Sequence, residues 1–139
     1  MEKVTIPAQL ENLDLMLDVI VRNADKVGFD SKSKFQIKLA SEEILVNIIH
    51  YAYPEKSGAV EIFIDPKPNE RLELVFTDWG IPFDPLSLPE PKICVPLEER
   101  KIGGLGVFLV RKIMDELRYQ RQGDRNIFAV VKKIKSEKK

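Results

Sequence analysis

The sequence has one cysteine, no long apolar run, no excess of either charge and no phosphate-binding loop of the form G-x-x-x-x-G-K-[ST]. A single thiol, Cys94, excludes an intrachain disulfide and fits a reducing compartment. With no recognisable His partner nearby, Cys94 reads as an incidental loop residue. No apolar segment approaches the ~18 residues of a membrane span, and the start Met1-Glu2-Lys3-Val4 carries no signal peptide, so a cytoplasmic protein is expected. Lys plus Arg and Asp plus Glu number 22 each, so no net field steers the chain toward nucleic acid or anionic lipid. The lysines at 132, 133, 135, 138 and 139 read as a solvated, frayed tail.

What remains is ordinary globular material. The chain has 139 residues, 44% hydrophobic and 32% charged, enough for one domain (1–139) with a core that needs no staples. Val4 to Ala8 form a short apolar segment. Leu10, Leu13, Leu17, Ile20, Ala24 and Val27 then recur at helical spacing, closed by Gly28. Asp30 or Ser31 can cap a second helix running to about Tyr53, with Phe35, Leu39, Ile44 and Ile48 on its buried face; Pro54 ends it.

Val60, Ile62 and Ile64, then Leu72, Leu74 and Phe76, alternate with polar residues and predict two strands about a turn at Pro66 to Glu70. Prolines at 82, 85, 89, 91 and 96 mark a long loop, a length that in a compact domain suggests a lid over a site. A third helix is expected from Gly106 to about Leu117. Strands near Arg118 to Arg121 and Ile127 to Lys133 follow, joined at Gly123-Asp124. This order predicts an α/β (α+β) two-layer sandwich: a largely antiparallel mixed sheet with three helices on one face.

Three short stretches carry chemistry: Glu43-x-x-x-Asn47, Asp78-Trp79-Gly80-Ile81-Pro82-Phe83-Asp84-Pro85, and Gly103-Gly104-Leu105-Gly106. Glu43 and Asn47, four apart on a helix, share a face; alone, such a pair is most often solvated. Asp78 closes an apolar strand, as turn aspartates commonly do. A buried carboxylate there could instead accept from the amino group of adenine, and it would reject guanine, whose carbonyl also only accepts. Gly80 lets the backbone come close to a base. Three glycines in four residues at a helix start exceed the needs of a hinge and suit phosphate on bare amides and the helix dipole. Arg100 and Lys101, just upstream, either neutralise phosphate charge or form a solvated pair.

In this order the stretches resemble the GHKL ATPase superfamily (gyrase, the large heat-shock chaperone, histidine kinases, mismatch-repair MutL). The likeness is strongest to its stand-alone anti-sigma-factor serine/threonine kinase branch. Ala40 to His50 is similar to the family's N box, Asp78 to Pro85 to its first glycine box with the Phe-Asp-Pro ending of this branch, and Ile102 to Leu109 to its second. Met114-Asp115-Glu116 and Tyr119 match what trails it. The resemblance implies a Bergerat-type ATP-binding fold with ATP and Mg²⁺ as cofactors. Asn47 would bind Mg²⁺, Glu43 would be the general base, Asp78 would hold adenine, Gly80 would line the base pocket, and Gly104 and Gly106 would contact phosphates.

There are two departures from the family pattern. Pro82 stands where many members have a second glycine, and Ile127 to Lys133 lacks the late-strand threonine often found near adenine.

The function implied is an ATP-dependent serine/threonine protein kinase that phosphorylates a STAS-domain anti-anti-sigma protein and also binds a sigma factor or another output protein. A homodimer is among the assemblies this allows; neither nucleic acid nor membrane is an expected partner. The alternative is an ATP-gated binding module without transfer. An intact Glu43 favours the kinase, since a pure binder needs no base. His50, the only histidine, lacks a separate dimerising phosphoacceptor helix, which argues against a histidine kinase.

Overall fold

In the computed structural model the described residues are 1–54, 57–84 and 104–134, with backbone alone for 104–107. Five strands, β1 (Glu2–Pro7), β2 (Ala59–Lys67), β3 (Arg71–Asp78), β4 (Glu116–Gln122) and β5 (Arg125–Lys133), form one sheet in the order β1-β2-β3-β5-β4. Every described pairing is antiparallel. The period-2 pattern dictates which face is covered. Val60, Ile62, Ile64, Leu72, Leu74, Phe76, Phe128 and Val130 are buried beneath the helices.

Helix α1 (Leu13–Val27) buries Met16, Leu17, Val19, Ile20, Ala24 and Val27 and ends at Gly28, whose φ of 99° only glycine adopts readily. Leu10, expected on this stripe, lies in a preceding 3₁₀ turn and is 55% exposed. Helix α2 (Ser31–Asn47) starts at Asp30, whose carboxylate accepts from Ser33 N at 2.8 Å and is lowered in pKa by that bond. Its buried residues are Ile37, Ala40, Ser41, Ile44, Leu45 and Asn47. The expectation for Phe35 was wrong: it is 66% exposed, because the face of α2 that packs against α1 and α3 is the one carrying Ile37, Ala40, Ser41, Ile44 and Leu45.

The second helix does reach the neighbourhood of Tyr53, but not as one α-helix. From Ile48 to Ala52 it widens into a π-helical turn, a feature often found at functional sites. Helix α3 (Gly104–Ile113) also differs from the reading. It begins two residues earlier than predicted and stops at Ile113, where Met114 N still bonds Val110 O. Asp115 N bonds Val131 O at 2.8 Å, which draws the chain into β4, so Leu117 packs on the core from a strand.

Of the lysines read as a solvated tail, Lys132 and Lys133 belong to β5, and those at 135, 138 and 139 lie outside the described residues. Lys132 is 7% exposed on the core side of β5, with Nζ donating to Ile113 O at 2.8 Å at the C-terminal end of α3. Lys133 pairs with Glu116 at 2.9 Å. Among the described residues no helix is long and apolar enough to cross a membrane.

Candidate functional site

The sheet register builds one row that the sequence does not announce. Asp78 ends β3 opposite Asn126 of β5, and Asn126 lies opposite Arg121 of β4. Asn126 Nδ2 donates to Asp78 Oδ1 at 2.9 Å, and Gly80 N donates to the same oxygen at 2.9 Å. Arg121 bonds Gly80 O at 2.8 Å and adds positive charge near the carboxylate. Burial nevertheless dominates and raises the Asp78 pKa; the Asn126 and Gly80 bonds and then Arg121 act against it.

Above this row lies a small, partly open cavity of about 40 Å³, lined by Ile44, Asn47, Ile48, Asp78, Phe83, Val110, Asn126 and Phe128. Apolar walls with a few convergent polar groups suit a flat heterocycle. Asn47 ends α2 where the helix widens and is 7% exposed. Phe83 enters as a wall whose ring stacks on Tyr51, with centroids 6.3 Å apart.

Two of the sequence-derived candidates, Asn47 and Asp78, thus meet in one cavity although 31 positions separate their numbers. Glu43 sits one turn before Asn47 and is half-buried. It is not among the lining residues, and burial, then Glu42, raises its pKa. Gly80 packs against the end of the π-helical turn: a Cβ there would lie 2.1 Å from Ala52 O, and the next residue, Ile81, donates its N–H to that oxygen at 2.9 Å. Gly104 and Gly106 fall in the first turn of α3, whose Val110 reaches the cavity. Gly103, Lys101, Arg100 and, from residue 85 onward, the expected proline-marked lid lie outside the described residues.

The departures from the family pattern resolve differently. Among the described residues only Asn69, Gly28 and Gly123 have positive φ, so Pro82 replaces a glycine without any left-handed position to fill. The late strand begins at Arg125, so its polar residue beside Asp78 is Asn126, one position before the stretch that lacks threonine. Sequence reading missed Asn126, Arg121 and Tyr53, whose hydroxyl bridges Trp79 N (2.8 Å) and Ala59 O. A polar residue at the start of an otherwise apolar strand, Arg125-Asn126-Ile127-Phe128, is the one signal that could have flagged Asn126. His50 is exposed beside Tyr51. No group of three His, Cys, Asp or Glu side chains that could hold a metal ion occurs among the described residues.

The model of the histidine kinase-like ATPase domain matches residues 6–132. The serine-protein kinases RsbW of Bacillus thuringiensis (strain Al Hakam) and Bacillus cereus (strain ATCC 14579) are each 30% identical over 116 residues, covering 81% of this chain and 72% of the relative. In fold, the chain is similar to the mycobacterial sensor histidine kinase MprB, with a TM-score of 0.55 at 20% identity over 95% of this chain and 97% of that one. It also matches the histidine kinase domain of the Erythrobacter litoralis EL346 blue-light activated kinase, with a TM-score of 0.54 at 20% identity, covering 87% of this chain and 58% of that one. The chain therefore belongs to the histidine kinase-like ATPases, among their serine-protein kinases.

Proposed function

We propose that the protein is an ATP-dependent serine/threonine protein kinase that acts as an anti-sigma factor or similar partner-switching regulator and phosphorylates a STAS-domain antagonist. The observation that carries the reading is Asp78, a carboxylate held in an apolar cavity that raises its pKa, with Asn47 lining the same space. Such a group costs stability where it stands and suits recognition of an amino group. Asp78 accepts from the adenine amino group while Ile44, Ile48, Val110 and Phe128 cover the faces of the base.

The residues present also fit Mg²⁺. Asn47 supplies one neutral oxygen, the kind of hard ligand the ion takes, and phosphate and water would complete the shell. When bound, the ion would neutralise phosphate charge. Gly104 and Gly106 offer backbone amides at the start of α3 to the phosphates, and Gly103 and Lys101 are the further phosphate candidates that the sequence names.

Glu43 takes the proton of the substrate hydroxyl as its oxygen bonds the γ-phosphorus. The bond from that phosphorus to the β,γ-bridging oxygen breaks, and ADP leaves with the electron pair. A base with a raised pKa holds that proton better, provided it is ionised at the working pH. The sigma factor, or another output protein, would be the second partner.

The test is incubation with γ-labelled ATP, Mg²⁺ and STAS-domain proteins, with Glu43→Ala as control. Label on a serine or threonine of the partner, lost in the variant, is expected. Clear ATP binding without transfer would instead establish the ATP-gated binding module.

A further inference from the structure

Asn126 is 5% exposed, and all of its hydrogen-bonding capacity is engaged. Nδ2 donates to Asp78 Oδ1 at 2.9 Å and to Ile81 O at 2.8 Å; Oδ1 accepts from the Tyr119 hydroxyl at 2.5 Å and from Phe83 N at 3.3 Å. A side-chain amide has two N–H groups and two lone pairs, so no donor is left over for a ligand. Asn126 lines the cavity, yet it must act through the groups it holds. One bond turns the carboxylate: Oδ1 is taken by Asn126 and Gly80 N, which makes Oδ2 the oxygen for a base. Two others hold Ile81 and Phe83, and the Phe83 ring is a wall of the same cavity.

We infer that Asn126 is a positioning residue that sets adenine over guanine preference by orienting Asp78 and seating the Phe83 wall in register with it. The inference rests on the nucleotide reading above. Discrimination follows from the acceptor-only nature of an ionised carboxylate: it meets the adenine amino group and repels the guanine carbonyl. A protonated Asp78 could donate to that carbonyl, and the distinction would fade.

The groups facing Asp78 are Arg121 of β4, Tyr119 of β4 and Tyr53 after the π-helical turn. Burial raises both tyrosines, which stay neutral, so Asp78 is the group that titrates. Removing the Asn126 donor takes away the bond that most favours the charged form.

The experiment measures ATP and GTP dissociation constants from pH 5 to 9 for wild type, Asp78→Asn, Asn126→Ala and Asn126→Asp. The last keeps the size and shape of asparagine, so it carries the test if the alanine variant does not fold. It also sets a second carboxylate beside Asp78, and such a pair retains a proton. In both Asn126 variants the GTP-to-ATP ratio of dissociation constants should fall roughly 10- to 100-fold at neutral pH. The pH at which discrimination is half lost should move upward. A purely structural residue would weaken both nucleotides alike and leave that midpoint in place. Wild-type ATP binding that is lost in Asp78→Asn, with discrimination and midpoint unchanged in both Asn126 variants, overturns this inference alone. A wild-type protein that binds no ATP overturns the nucleotide reading itself.

Discussion

Asp78→Asn should make the protein more stable while removing its ability to bind ATP. The substitution is isosteric, and the amide oxygen can keep both bonds that Oδ1 now receives, from Asn126 at 2.9 Å and Gly80 at 2.9 Å. What it removes is a charge whose burial outweighs those bonds and Arg121, leaving the folded-state pKa above the ordinary 3.8. The folded protein therefore holds this proton more tightly than the unfolded chain does. The associated stability is fully present below 3.8 and is lost as pH rises through the raised folded value.

Removing the buried charge should gain about 1 kcal/mol, the ordinary size of a single-substitution effect. With a urea m-value of about 2 kcal/mol/M it would move the unfolding midpoint by about 0.5 M. The assay is urea unfolding of both proteins from pH 3.5 to 8. The difference should be near zero at the acid end, open as pH rises, and be constant by pH 7. Glu43, also raised, contributes a slope of the same sign to both proteins and cancels in the difference. A lower midpoint for Asp78→Asn at pH 7 would refute the reasoning, because it would mean the folded protein stabilises the Asp78 charge.

Gly80→Ala drives a Cβ to 2.1 Å from Ala52 O and threatens the Ile81 N–Ala52 O bond. Overpacking against backbone and the lost bond together should cost roughly 2–3 kcal/mol, or about 10 °C in melting temperature; an unchanged melting curve would show that the turn can yield. For Glu43 the sign runs through activity. Transfer should fall as pH drops through its raised pKa, and Glu42→Gln, which removes the second cause of the rise, should move that acid limb to lower pH. Superimposable single-turnover pH profiles for wild type and Glu42→Gln would exclude the Glu42 charge as a modulator of the base.

Much of the architecture was legible in the residues because it is local. The α1 stripe ending at Gly28, the Asp30 cap and the alternation of β2 and β3 each depend on neighbours within a few positions, where helical and pleated periods act directly. Motif spacing likewise put Glu43 and Asn47 on one helix and Asp78 at a strand end. The misreadings share one cause. Phe35 fits a helical stripe, and its exposure is decided by where α1 and α3 flank α2. Leu117 continues a helical period but is claimed by β4 once Asp115 N bonds Val131. Lys132 belongs to a lysine-rich run, yet it is buried where it meets the last turn of α3.

The same holds for the site. The sequence by itself determined which chemical groups are available and on which elements they ride. Only the tertiary structure decided that Asp78 is paired with Asn126, 48 positions away, because β5 returns antiparallel beside β3 in one particular register. A shift of that register by one residue would turn Asn126 to the opposite face of the sheet and leave the carboxylate without its donor.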